Sequence, residues 1–179
     1  MLNQITAPRL AKQPPEDALD LLTGCHQRIR YFNATAIKLA HAQGASPADI
    51  QQAAAGVHRY YSVSLPLHEA DEEVTLRPRL DAVASEPVRH ALIAMHDQHQ
   101  AIDELIERLL PLVVLVERNP DTLHDVGPEM CSITTALDEA FSAHLHLEEE
   151  IIFPSIRESL ADDARATMLA EMQARRQQG

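Results

Sequence analysis

One pattern of charged residues occurs twice in this 179-residue chain, and it restricts the possible folds more than any other feature. From His68, Glu72 follows four residues on, Glu73 stands next to it, and Pro78 comes ten residues on. From His144 the same offsets reach Glu148, Glu149 and Pro154. An α-helix turns once every 3.6 residues, so a histidine and a glutamate four apart share a face with Cβ atoms roughly 5–6 Å apart. Such a pair can grip one metal ion or two neighbouring ions. Each copy also has a lone histidine upstream, His26 lying 42 residues before His68 and His99 lying 45 before His144. The chain therefore reads as two similar helix pairs. Four histidines and two glutamates gathered by a four-helix bundle would make a binuclear non-haem metal site, with iron the expected metal.

Apolar periodicity places these residues on core stripes. The first helix, expected over Glu16 to His41, carries Leu19, Leu22, His26 and Ile29 at spacings of three and four. Gly44 ends it, and Ser46 before Pro47 opens the second helix as a hydroxyl cap followed by a first-turn proline. The stripe there is Ile50, Ala54, Val57, Tyr61, Leu65, His68 and Glu72, and Pro66 predicts a kink or short break just before His68. Ser85-Glu86-Pro87 opens a third helix with Met95, His99, Ile102, Ile106, Leu109 and Val113 on one face, its last turns kinked by Pro111. After Asn119-Pro120-Asp121 and a Gly127-Pro128 step, the fourth carries Ile133, Leu137, Phe141, His144, Glu148 and Ile151, and Pro154 is expected to break it. A final amphipathic segment from about Ser159 to Arg176 should pack outside the bundle or mediate association. The expected organisation is an irregular lead-in over residues 1–15, a bundle over 16–157, and a C-terminal helix and tail over 158–179.

Composition agrees with an all-α chain: glycine is scarce at five, and long windows are rich in Ala, Leu, Glu, Gln and Arg. Aromatic residues are only 3%, so the expected core is aliphatic. The formal net charge of −12, with arginines scattered, leaves no footprint for nucleic acid or an anionic membrane surface. The first residues show no secretory pattern, and no run approaches the roughly 18 apolar residues of a membrane span, so a cytoplasmic location is expected. Cys25 and Cys131 read as structural thiols. Adjacent helical residues point about 100° apart, so Cys25 and His26 can hardly face one metal.

A single histidine on an apolar seam is ordinarily a hydrogen-bonded core residue. Four on four stripes, two with a glutamate one turn on, are harder to explain that way. A bare carboxylate in an aliphatic core costs several kcal/mol unless paired or metal-bound, and no Lys or Arg lies on these stripes. Imidazole and carboxylate donors without thiolate suit iron, manganese or zinc. Two bridging carboxylates, Glu72 and Glu148, favour two ions about 3.5–4 Å apart, completed by an oxo, hydroxo or water bridge. His99 is preferred to His96 because only His99 lies on the stripe; Glu69 is either a terminal ligand or solvated. His58 belongs to a flank or the surface, and His41, His90, His124 and His146 lie off the stripes. The zinc-protease pattern fails, since His68 to Glu72 lacks a second histidine, and no glutamate is followed by a histidine three residues on.

The segments Cys25-His26-Gln27-Arg28-Ile29, His68 to Glu73, Gln98-His99 and His144 to Glu150 running on to Phe153-Pro154 resemble the hemerythrin-like, or HHE cation-binding, domain over roughly residues 17 to 157. The resemblance implies an up-down-up-down four-helix bundle around a non-haem di-iron centre, with His26, His68, Glu72, His99, His144 and Glu148 as ligands. Oxygen-carrying hemerythrins have two ligand histidines four apart on the third helix; here Asp103 stands at that distance from His99. The four-histidine set looks more like the bacterial di-iron proteins implicated in nitric-oxide response and iron-centre repair, although no cysteine precedes Cys25. The expected partner is a small diatomic, dioxygen or nitric oxide, bound or sensed. The alternatives are a di-iron oxidoreductase acting on nitric oxide or peroxide, an iron donor, iron storage and a metal-free bundle. An acidic chain with an amphipathic last helix is compatible with a homodimer.

Overall fold

The computed structural model describes residues 15–177, and among them there are helices and no strands. The expected lead-in lies, except for Pro15, outside the described residues, as does the end of the polar tail. Helix α1 (Ala18–Ala40) starts at Asp17, whose carboxylate accepts a hydrogen bond from the Leu19 amide at 3.3 Å. After it Gly44 adopts φ 88°, a left-handed conformation that side-chain-bearing residues disfavour. Ser46 caps α2 (Pro47–Arg59), its hydroxyl accepting from the Asp49 amide at 3.2 Å.

From α2 the backbone continues without a break. A wide π turn (Tyr60–Ser64) leads into α3 (Leu65–Ala70), a second π turn (Asp71–Leu76) follows, and α4 (Arg77–Asp81) ends the rod. Helix α5 (Glu86–Arg118) passes through Pro111. A short 3₁₀ turn (Pro120–Thr122) opens α6 (Leu123–Leu147), after which a third π turn (Glu148–Ile152) enters α7 (Phe153–Ser159). Helix α8 (Asp162–Gln177) comes last.

The prolines depart from expectation in an informative way. Pro66 and Pro154 do not break their rods; each lies in the first turn of the helix that follows a π turn, and so does Pro78. A proline cannot donate to the carbonyl four residues back and its ring crowds that carbonyl. Opening the preceding turn to i→i+5 bonding relieves both problems without ending the helix. The same turn corrects the last position of the fourth stripe: Ile151 is 40% exposed, and Ile152 is buried in its place. A wider turn carries an extra residue and moves the inward face one position on. Gly127 and Pro128 stand inside α6 rather than before it. Gly127 serves a close approach, since a Cβ there would lie 3.3 Å from the Ala40 carbonyl oxygen on α1.

Helix α1 packs on α2 and α6, and α5 packs on the same two, which is the ring of an up-down-up-down bundle. All the other expected stripe residues are buried. Their apolar members fall into two separate clusters. One runs from Ile29 through Tyr61, Ile102 and Leu137 to Leu145; the other joins Leu19, Leu22, Leu76, Met95, Ile152 and Phe153. Between them lies a polar layer. Helix α8 docks on the second cluster through Met168 and Met172, both 0% exposed, so the last helix is part of the folded core.

Candidate metal centre

Each rod contributes to the polar layer. His26 comes from α1, His68 from α3, His99 from α5 and His144 from α6, while Glu72 and Glu148 stand in the π turns that follow α3 and α6. The widened turns press both carboxylates inward, and neither Glu72 nor Glu148 has any exposed surface. The six side chains form two overlapping groups: His26, His68, Glu72 and Glu148 in one, and His99, His144, Glu72 and Glu148 in the other. Within each group the donor atoms lie within 4.8 Å of one another. Glu72 spans them, with Oε1 lying 3.1 Å from His68 Nε2 and Oε2 3.2 Å from His99 Nε2. Glu148 Oε2 faces both groups, 3.0 Å from His26 Nε2 and 3.6 Å from His144 Nε2.

Most of these approaches are not hydrogen bonds. His26 Nε2, both ring nitrogens of His68, Glu72 Oε1 and both Glu148 oxygens are buried without a hydrogen-bond partner. Leaving one such group unsatisfied costs about 1–3 kcal/mol, so this many in one layer need a shared ligand. A divalent cation fits: the donors are all imidazole nitrogen or carboxylate oxygen, a set suited to iron, manganese or zinc.

The charge states agree. Burial, and then the nearby Glu148 charge, holds the Glu72 carboxyl well above the usual range. Burial alone would also lift Glu148, but His144 and His26 outweigh it and hold that carboxyl low. Of the two carboxyls in the metal-free layer, Glu72 is the one that holds a proton the more tightly. Burial, and then the charges of His26 and His144, pushes His68 well below the ordinary imidazole range; burial likewise brings His144 down to about 4 despite Glu148. Both rings are neutral at pH 7, as ligands must be.

The outward nitrogens of three ligand-position histidines have partners. His26 Nδ1 lies 2.8 Å from Glu149 Oε1, His99 Nδ1 2.9 Å from Glu73 Oε1, and His144 Nδ1 3.3 Å from Gln98 Oε1. His96, which is not in either donor group, shares Glu73 Oε1 at 3.1 Å. His58 pairs with Glu117 at 2.8 Å on a flank, and His41, His90, His124 and His146 are exposed. Cys25 is buried beside His26 but turns to Arg28 Nη2, 2.9 Å from its sulfur, and is in neither donor group. Glu69 is in neither group. It lines a tight cleft with Asp103, Ile29, Ile102, Phe141 and His144, where the free volume is about 10 Å³.

Sequence reasoning gave no role to Glu73, Glu149 or Asp71. The first two repeat in register with the ligand positions, a signal that was present. Asp71 is 0% exposed and pairs with Arg175 and Arg176, and no local pattern announces an ion pair over more than a hundred residues.

A helical bundle with a buried layer of histidines and glutamates defines the class of metal-binding bundles. The model of the hemerythrin HHE cation binding domain matches residues 17–156, and the chain belongs to that family. No curated protein matches the chain. No helix among the described residues is long and apolar enough to cross a membrane.

Proposed function

We propose that this protein holds two non-haem iron ions, one served by His26 and His68 and the other by His99 and His144, with Glu72 and Glu148 spanning both. We further propose that the pair binds or senses a small diatomic molecule, dioxygen or nitric oxide. The observation that carries this reading is the set of unpartnered buried donor atoms converging in two groups that share their carboxylates. When bound, the iron pair supplies open coordination positions and electrons to such a ligand. The chain's own residues orient the donors and limit access. Ile29, Leu65, Ile102 and Phe141 wall the cleft beside His68, His99 and His144, and its free volume of about 10 Å³ is on the order of one water molecule. A cleft of that size suits a guest as small as a diatomic.

A second reading, an oxidoreductase consuming nitric oxide or peroxide, draws on Glu69 and Asp103. Both carboxyls line the cleft and both are raised by burial, Glu69 also by the Asp103 charge, which places two titratable groups beside a bound guest. Mixing the anaerobic ferrous protein with dioxygen or nitric oxide separates the two. A spectrum that reverses on removing the gas supports binding, while catalytic loss of nitric oxide or peroxide supports turnover. Neither response from iron-loaded protein rejects both.

A further inference from the structure

The two ligand-bearing segments share more than the histidine and the first glutamate. In each, the glutamate directly after the buried one turns the other way and reaches a histidine on a neighbouring rod. Glu149 follows Glu148 and takes His26 Nδ1 on α1 at 2.8 Å; Glu73 follows Glu72 and takes His99 Nδ1 on α5 at 2.9 Å. Each carboxylate is itself fixed by an arginine. Arg30 Nη2 donates to both oxygens of Glu149 at 2.9 Å, and Arg77 Nη1 donates to Glu73 Oε2 at 2.7 Å. The glutamates repeat in the sequence, but the arginines do not. Arg77 comes one turn after Glu73 on its own rod, and its counterpart in the second copy is Phe153, which stacks on His26 at 5.0 Å. Arg30 comes from α1, and Asp103 stands at its counterpart position, four residues after His99. Two different arginines fixing two equivalent carboxylates mark the carboxylates as the functional part.

An ionised carboxylate can only accept, so an imidazole whose Nδ1 faces one carries a proton there and, as a metal ligand, must bind through Nε2. The other two histidines lack this. His144 Nδ1 meets the neutral amide oxygen of Gln98, and neither ring nitrogen of His68 has a hydrogen-bond partner. Each donor group thus has one carboxylate-backed histidine and one without.

We propose that Glu149 and Glu73 are positioning residues that set the affinities of the two metal positions separately, Glu149 acting through His26 on one and Glu73 through His99 on the other. This rests on the metal-site reading above. Losing such a partner ordinarily weakens metal binding 10- to 100-fold.

The test compares the parent with Glu149→Gln, Glu73→Gln and the exposed Glu150→Gln. Histidine ¹⁵N spectra of the zinc-loaded proteins, in which the metal takes Nε2, report the tautomers. Anaerobic titration with ⁵⁷Fe(II), read by Mössbauer spectroscopy, reports occupancy of each environment, and thermal melts check folding. The expected result is an Nδ1-protonated His26 and His99 in the parent. Glu149→Gln weakens one iron environment 10- to 100-fold, Glu73→Gln weakens the other, and Glu150→Gln weakens neither. Folded variants that keep both affinities, or that each weaken both environments equally, overturn the proposal while leaving the metal site standing. A parent that takes up no iron overturns the metal-site reading itself, and the proposal with it. If a Gln variant melts early, Glu149→Ala and Glu73→Ala, which remove the acceptor altogether, take its place with the same outcomes.

Discussion

Arg176 on the last helix pairs with Asp71, the residue directly before Glu72, and Arg175 beside it pairs with the same carboxylate. Arg175 also donates to the Thr75 hydroxyl at 3.0 Å. The C-terminal helix thereby holds the π turn that presents Glu72. Asp71 is fully buried, so removing both arginines leaves an uncompensated charge in the interior, a change that costs about 3–5 kcal/mol. Arg175→Ala with Arg176→Ala should lower the urea unfolding free energy by that order, and adding Asp71→Asn should restore part of it. No loss, or no restoration in the triple variant, would show that the ion pair is not what secures the helix.

Glu148 and His146 are two residues apart, yet Glu148 is buried in both donor groups and His146 is exposed. Glu148→Ala should abolish loading of two irons per chain, and His146→Ala should leave it unchanged. Elemental analysis of both variants checks this; equal losses would mean that the wrong face of α6 has been assigned.

Acidification acts on the metal-free protein with two opposing signs. His68 lies well below the ordinary imidazole range and His144 at about 4, both chiefly through burial. Unfolded imidazoles take up protons near 6.5. Between about 6.5 and 4 the unfolded chain therefore binds more protons, and these rings lose stability as pH falls. Glu72 works against them: its raised carboxyl keeps a proton that the unfolded chain gives up near 4.3, so its contribution is lost as pH rises above that. Glu72→Gln removes the opposing part. Urea midpoints of the metal-free variant should fall more steeply from pH 7 to pH 4 than those of the parent. An equal or shallower fall would contradict the assignment of the proton to Glu72.

Metal loading should raise the melting temperature, because it binds only the folded layer, and should release protons as Glu72 ionises. A pH indicator in weak buffer reads the release during anaerobic ferrous titration. Uptake with no proton release would mean that neither buried carboxyl carries a proton in the metal-free layer.

The apolar stripes were legible because a 3.6-residue period repeats over several turns, and they carried His26, His68, His99 and His144 inward with them. Up-down-up-down order followed from the family resemblance. What local periodicity missed lies in the π turns. The stripe expected through Ile151 ends at Ile152 because the turn at Glu148 widens, and Pro66 and Pro154 are absorbed for the same reason. Gly127 resembled a loop signal because its use, contact with the Ala40 carbonyl, depends on a helix about ninety residues away. The partners of Asp71 and the roles of Glu73 and Glu149 likewise depend on which rods become neighbours.

The central claim is most directly tested by counting irons per chain after anaerobic ferrous loading and desalting, beside a variant combining His68→Ala with Glu148→Ala. The account predicts close to two in the parent and loss in the variant. No retained iron in the parent, and none gained with manganese or zinc, would contradict it and leave the layer a structural feature of the bundle.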